Sequence, residues 1–401
     1  MIVVVGAGAA GLMAAIAARA SSHDVIVLEK TADGGRKILI SGGGRCNILP
    51  EALEPHRFVT SSPPRLCSRM LKSWPLREQI AFFEHDVGVP LKFEAETRKY
   101  FPKSDRARDV RDGLVDVARR RGVQFQFGTE LRGLHTSTEG WTLETSAGAI
   151  HHARVILATG GLSVPSTGSD GGGLRLAREL GHTIHQTHAA LTPLVATPPR
   201  HAALSGVSLR VRLRARWQET TREVTGGFLF THKGYSGPTV LDVSDVAVRS
   251  ASAGGAAASL RVQWTDVSAQ QWDLDLQSSP ALVVSVVAKK LPQRLAEQLV
   301  REGGIPLDRT VAELRRGERL GLVERLTSYE LPWSGDEGYQ KAEVTGGGVA
   351  LDEVDPVTLE SRRHRHLFFC GEMLDAFGPI GGHNFAWAWA TGRSAGLGST
   401  R

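Results

Sequence analysis

The sequence predicts an α/β fold interrupted by two insertions, and three observations predict it. The chain opens Met-Ile-Val-Val-Val-Gly-Ala-Gly-Ala-Ala-Gly, an apolar run entering a glycine turn, then an alanine-rich stretch (Leu12–Ala20) and a second apolar run (Asp24–Leu28) ending on Glu29. Residues Leu209–Trp217 alternate strictly between apolar residues and arginine, the period of a strand with one buried face. From about 268 to 330 the apolar spacing turns helical, and from about 340 strands and glycine turns return.

The opening is a strand, a turn, a helix, a strand and an acid, all in register. Gly6 permits a tight turn, Gly8 lets backbone approach a pyrophosphate, and Gly11 lets helix and strand pack closely. With Ala9 and Ala10, these residues form a helix start whose free N–H groups and partial positive charge suit phosphate. Glu29 lies 18 residues beyond Gly11, where a carboxylate accepts hydrogen bonds from ribose hydroxyls. A glycine turn alone is weak evidence. The flanking elements and the distant acid favour a Rossmann-like dinucleotide-binding unit over a bare turn.

Within the first region, Arg106–Arg121 reads as an amphipathic helix with Val110, Leu114, Val117 and Ala118 on one face, stopped by Gly122. Strands are expected at Val123–Phe127, Trp141–Thr145 and Arg154–Ala158, the last entering Thr159-Gly160-Gly161. After Thr192-Pro193 and Thr197-Pro198-Pro199 the strand Leu209–Trp217 carries Arg210, Arg212, Arg214 and Arg216 on its polar face. That stripe reads as a solvated sheet face or as a polyanion surface, and the solvated face is the simpler reading. Phe228–Phe230 and Leu260–Trp264 continue the β-rich part, and Pro280 and Pro292 are expected to begin helices. A last helix is expected over Asn384–Leu397. The chain thus divides into 1–188 with 338–401 as one nucleotide-binding domain, 189–266 as a β-rich insert and 267–337 as a helical one.

The 401 residues are 41% hydrophobic and 22% charged, ordinary for a globular chain. No apolar run reaches the roughly 20 residues of a membrane span. The first strand begins at Ile2, and Cys46, Cys67 and Cys370 make neither a CxxC pair nor a metal spacing, so a reduced, cytoplasmic setting is expected. The net charge of +6 is mostly arginine.

Gly34–Asn47 packs five glycines with Arg36, Lys37 and Arg45. Glycines turn backbone N–H groups toward a flat or anionic ligand, and the cations can neutralise one. This segment, the opening fingerprint and Ala158-Thr159-Gly160-Gly161 resemble the BaiN-type (YhiN-type) family of FAD-dependent oxidoreductases. So do Thr167–Gly171, Leu191–Leu194, Leu229–Pro238, Thr345–Gly348, Gly371–Asp375 and Gly381–Asn384, in the expected order along the whole chain.

The resemblance implies an FAD domain of the glutathione-reductase type. It places Glu29 and Lys30 at the adenosine ribose, Leu131 at the adenine, and Gly8 to Gly11 at the pyrophosphate. Gly35, Arg36 and Lys37 lie along the cofactor, with Arg45, Cys46 and Asn47 near the flavin. Ala158, Thr159 and Gly160 line the cofactor, Gly371 and Glu372 stand near the ribityl chain, and Gly382 to Phe385 present a helix start to the flavin pyrimidine edge. His383 stands where the family usually carries tyrosine. It is either a proton donor near neutral pH or a packed ring replacing that tyrosine. Asn47-Ile48-Leu49-Pro50 departs from the family as well. Cys46 is either a redox thiol activated by Arg45 or a packing residue, and His232 and Tyr235 either line a substrate pocket or belong to a glycine-turned loop. With a single dinucleotide fingerprint, NAD(P)H is expected as a transient electron donor at the flavin and an unsaturated or carbonyl-bearing small molecule as substrate. An RNA-modifying flavoenzyme and a non-catalytic flavin sensor are the alternatives.

Overall fold

The computed structural model describes residues 1–137, 140–277 and 279–401. The chain forms two compact units, Met1–Ala189 with Glu343–Arg401, and Ala190–Ala342.

The first unit is built on five parallel strands. Their order is Gln124–Phe127, Val25–Glu29, Ile2–Val5, the end of Gly148–Leu157, then Leu367–Phe369. Ile2–Val5 is buried along its whole length, as a strand covered on both faces must be. The strand expected at Arg154–Ala158 begins earlier, at Gly148. Its first half leaves the parallel layer and pairs antiparallel with Gly140–Thr145, which pairs with Leu131–Ser137.

The C-terminus completes this unit. Leu367 pairs with Val155, and the helix His383–Gly398 lies on the first helix, Ala9–Ala18. A Cβ on Gly392 would fall 2.4 Å from the Ala10 carbonyl oxygen, and one on Gly396 2.3 Å from that of Ala14. The two helices touch backbone to backbone, which explains their alanine and glycine content. The helix Ala107–Arg120 buries Val110, Leu114, Val117 and Ala118, the face its spacing predicts.

The second unit is a seven-stranded sheet, ordered Tyr329–Glu330, Ser259–Gln263, Ser208–Trp217, Thr220–Phe230, Gly234–Ser236, Leu194–Val195, Gly335–Asp336, antiparallel in each assigned pair. Val211, Leu213 and Ala215 are buried, and the intervening arginines are exposed. A helix not anticipated, Pro238–Ser252, packs on this sheet through Val240, Val243, Val246 and Ala247. Its β-branched and Asp/Ser content is poor in helix propensity, and tertiary packing overrides it. Pro238 occupies its first turn, whereas Pro280 and Pro292 precede the helices Val283–Ala288 and Gln293–Glu302 rather than beginning them. The strands and helices drawn as separate inserts at 189–266 and 267–337 share one core, in which Leu213, Phe230, Val246, Leu299 and Leu326 lie together.

Candidate functional site

The turn between the first strand and helix contains three glycines under different constraints. Gly6 has φ +102°, and a Cβ there would sit 2.5 Å from the Ala158 carbonyl oxygen. A Cβ on Gly11 would sit 1.9 Å from that of Gly6. The protein's own packing demands both. Gly8 has φ −74°, and a Cβ there would meet nothing within 4 Å. Packing within the protein therefore does not demand glycine there, and the open side leaves room for a ligand laid against the turn. The helix that starts at Ala9 has no side-chain cap, which leaves the N–H groups of its first turn, Ala9, Ala10 and Gly11, free to donate. These residues fit a pyrophosphate.

Glu29 ends the second strand beside this turn. One carboxylate oxygen accepts from the Ala7 N–H at 2.9 Å, and the other from the N–H and hydroxyl of Thr31 at 2.8 and 2.7 Å. Lys30 pairs with Asp170 at 2.6 Å. A cleft of about 430 Å3 opens here, lined by Lys30, Thr31, Gly128, Glu130, Ser166 and Gly168 among others. Leu131 follows Glu130 and is half-buried at the start of its strand. Beside the same turn, Ala158 donates its N–H to the Val5 carbonyl at 2.9 Å. Thr159 packs against Gly173, where a Cβ would fall 2.2 Å from its hydroxyl, and Gly160 is left-handed at φ +75°.

Gly34–Asn47 folds into a short helix, Arg36–Ile40, entered through Gly35 at φ +71° and followed by left-handed Gly42, Gly43 and Gly44. Arg36 pairs with Asp33 at 2.5 Å. Lys37 reaches Glu372, 335 residues away, at 2.7 Å, and also donates to the Ser163 hydroxyl. The other Glu372 oxygen accepts from Ser163 Oγ at 2.6 Å, Thr345 Oγ1 at 2.8 Å and the Thr345 N–H at 3.1 Å. Gly371, at φ +68°, presses on Ala10 so closely that a Cβ would lie 2.6 Å from the alanine methyl. The family resemblance puts Lys37 and Glu372 each at the cofactor but does not pair them, and nothing in the sequence singles out Ser163.

Two expectations change here. Arg45 does not face a ligand as a free cation: it pairs with Glu94 at 2.6 Å and Asp105 at 2.8 Å, 4.1 Å above the Phe101 ring. Nor does it activate Cys46. That thiol is fully buried, and burial pushes its pKa up to about 12, so Cys46 is a packing residue. Asn47 follows, and its N–H would stand 3.0 Å from a Cβ on Gly42.

The final helix begins after Gly382, which has φ +93° and no room for a Cβ against Leu49. Asn384 folds back on Gly378, accepting from its N–H at 2.8 Å and donating to its carbonyl at 2.9 Å. Phe385 stacks on Trp389 at 5.3 Å. His383 is buried against Phe58, its Nδ1 3.3 Å from the Ile380 carbonyl oxygen. Its Nε2 has no hydrogen-bond partner among the described residues and stands 3.9 Å from Glu54. Burial, assisted by Arg57, lowers its pKa to about 4. The ring is therefore neutral at pH 7, and an imidazolium donor near neutral pH is not what this environment provides.

A further buried carboxylate, Asp375, lies in the Gly371–Asp375 block that carries the resemblance, but the sequence assigns it no role. One oxygen of Asp375 accepts from Thr60 Oγ1 at 3.0 Å and from the Ser61 N–H, Ser62 N–H and Ser62 Oγ at 2.9 Å each. In the second unit, Tyr235 is buried and bonded to His201 at 2.9 Å, a core position rather than a pocket wall, while His232 is exposed. Among the described residues no His, Cys, Asp and Glu cluster could hold a metal, and no helix is long and apolar enough to cross a membrane.

A parallel sheet carrying this turn, closed by a C-terminal helix, defines a dinucleotide-binding protein of the Rossmann type. The chain belongs to the family described as HI0933-like protein Rossmann domain, which it matches over residues 1–398. It is 31% identical over 394 residues to the protein of Escherichia coli named ribosomal RNA dihydrouridine synthase, covering 97% of this chain and 95% of that one. It is 32% identical over 402 residues to the 3-dehydro-bile acid delta(4,6)-reductase of Clostridium scindens, covering 98% and 97%. Its fold is similar to that of the 3-ketosteroid-delta4-(5alpha)-dehydrogenase of Rhodococcus jostii, with TM-score 0.51, 14% identity and coverage of 100% and 96%. The 3-ketosteroid delta1-dehydrogenase of Sterolibacterium denitrificans is similar too, with TM-score 0.53, 12% identity and coverage of 100% and 99%.

Proposed function

We propose that this chain binds FAD and uses it to reduce a carbon–carbon double bond conjugated with a carbonyl group in a small molecule, with NAD(P)H as electron donor. The observation that carries the reading is the turn at Gly8, a position glycine by no need of the protein, beside an uncapped helix start and Glu29. Bound FAD would supply a carrier that accepts a hydride from the nicotinamide and yields it to the double bond.

The protein's own residues do the holding. The first-turn N–H groups take the pyrophosphate charge, and Glu29, with lone pairs left beyond Ala7 and Thr31, accepts from ribose hydroxyls. Lys37 and Glu372 fix the Gly34–Asn47 segment to Ser163 and Thr345. The helix start at Gly382–Phe385 supplies partial positive charge where a reduced flavin carries negative charge. His383 serves there as a packed neutral ring.

The names of two relatives support the choice of reacting group. Dihydrouridine is uridine with its ring double bond saturated, and a delta(4,6)-reductase of a 3-oxo steroid saturates bonds conjugated with that ketone. A second reading, the same reduction on an RNA base, is favoured by the exposed arginine stripe at 210–216.

The deciding experiment is an anaerobic absorbance scan of the purified yellow protein with NADH or NADPH. Bleaching of the flavin band, followed by recovery on adding a conjugated enone, is the expected result. A flavin that neither donor bleaches overturns the nicotinamide part, and a colourless protein that FAD cannot reconstitute overturns the whole reading.

A further inference from the structure

The arginines of Ser208–Trp217 do not stand alone. In the antiparallel register Arg212 lies beside Gln263, Arg214 beside Arg261 and Arg216 beside Ser259, while the other neighbour strand places Thr225, Glu223 and Thr221 at the same levels. Arg261 in turn lies beside Glu330. One face of the sheet therefore presents Arg210, Arg212, Arg214, Arg216 and Arg261 against Glu223 and Glu330. All five arginines are exposed, and the opposite face is the one that carries the core.

The acids do not cancel this charge. Glu223 pairs with Arg214 at 2.6 Å and reaches Arg212 only at 3.9 Å, and Glu330 pairs with Arg261 at 3.1 Å. Arg210 and Arg216 have no carboxylate partner among the described residues. Alternate residues of a strand are about 6.8 Å apart, so the four arginines of one strand form a cationic line roughly 20 Å long. Ser208–Trp217 is paired on both sides, so its arginines do not serve to discourage edge pairing.

Arg216, Trp217, Gln218, Ser259 and the small residues Ala253–Ala257 enclose about 500 Å3 at the hairpin end of the strand. Trp217 is half-buried, with the Arg249 guanidinium 6.0 Å from its ring centroid. Trp217 belongs with Val211, Leu213 and Ala215 to the core face, so the arginine row alone is the exposed surface, and guanidinium groups at this spacing suit phosphodiesters along its length.

We propose that this arginine face is an RNA-binding surface of the inserted unit. It rests on the second reading above, in which the reducible double bond belongs to an RNA base, but its test is of binding and stands apart from turnover. The probe is a fluorescein-labelled 30-nucleotide RNA hairpin with a single-stranded loop, titrated with the FAD-loaded protein from 50 to 200 mM KCl.

Binding is expected, weakening as salt rises. In Arg210→Gln/Arg212→Gln/Arg214→Gln/Arg216→Gln the affinity at 50 mM is expected to fall at least tenfold and the salt slope to lessen by about 4, roughly one per lost phosphate contact. Flavin content and bleaching by the donor should be unchanged. Replacing the same four residues with lysine should retain the salt slope. Glu223→Gln, which removes no arginine and keeps the variant close to the native fold, should tighten binding two- to fivefold. Equal affinity of wild type, the glutamine variant and Glu223→Gln overturns the proposal, as does absence of binding at 50 mM KCl. Binding to vesicles of 30% phosphatidylserine but not to the hairpin overturns it in favour of a membrane surface. RNA binding without any bleaching by NADH or NADPH keeps this surface and defeats the nicotinamide reading instead.

Discussion

Single residues carry the sharpest expectations. Glu29→Ala removes the acceptor for the Ala7 and Thr31 N–H groups as well as the ribose acceptor, so FAD retention should drop at least tenfold in a dilution assay while turnover at saturating FAD changes little. Unchanged retention would take Glu29 out of the ribose site. His383 has a folded pKa of about 4 against an ordinary value near 6.5. The unfolded chain therefore takes up a proton that the folded chain refuses between those values. Stability from this group is full above pH 6.5 and falls as pH drops toward 4, by up to about 3 kcal/mol, one pKa unit being about 1.4 kcal/mol. His383→Phe should lessen the loss of stability between pH 6.5 and 4 in urea melts and leave the pH profile of flavin reoxidation above pH 6 unaltered. A profile that shifts would restore the ring as a proton donor. The same burial that silences His383 silences the thiols. Cys46 and Cys67 are pushed up to about 12, and Cys370 higher still. A thiol reagent at pH 8 should find none of the three in the native protein and all of them in denaturant.

Elements meet through missing side chains. Glycines 11, 392 and 396 let the first strand turn, the first helix and the last helix approach at backbone distance. Gly11→Ala would place a methyl 1.9 Å from the Gly6 carbonyl oxygen and should cost roughly 3 kcal/mol or more, read as a lower urea midpoint in the apoprotein. Gly8→Ala meets no protein atom, so its apoprotein should lose no more than about 1 kcal/mol, the scale of a cap change, while its hold on FAD weakens. If both variants behaved alike, the distinction between a packing glycine and a ligand-approach glycine would fall. The helix Pro238–Ser252 teaches a related lesson. Its local sequence favours neither helix nor strand, and the apolar face of the adjoining sheet settles the matter.

At the scale of the molecule, each unit has its own core and its own acid-sensitive carboxylate. Glu353 is held down to about 2 by Arg363, with Thr183 and His182 also donating to it. Glu302 in the second unit is held near 2 by hydrogen bonds from His201, Gln298 and Tyr329 that outweigh its burial. For a depressed carboxylate the stabilisation is present above about pH 4.5 and is lost as pH falls toward 2. Glu302→Gln should therefore flatten the acid limb of the second unit's stability, monitored by hydrogen exchange over Ser259–Gln263, and leave the limb of the first unit as it was. Parallel acid limbs in both units would remove Glu302 as a stabilising group there.

The sequence by itself determined the elements whose signal is local. The strand–glycine–helix–strand–acid order of residues 2–29 sets the dinucleotide turn, and the arginine alternation sets a half-buried strand. Both are legible because a turn needs particular φ values and a sheet has a period of two. Tertiary structure alone decided what depends on distant partners. Lys37 meets Glu372 across 335 residues, and Arg45 finds Glu94 and Asp105 and so leaves Cys46 a buried, inert thiol. His383 becomes neutral only because Phe58 and its surroundings exclude water. Charge state and pairing are set by desolvation and proximity, and neither exists until the chain is folded.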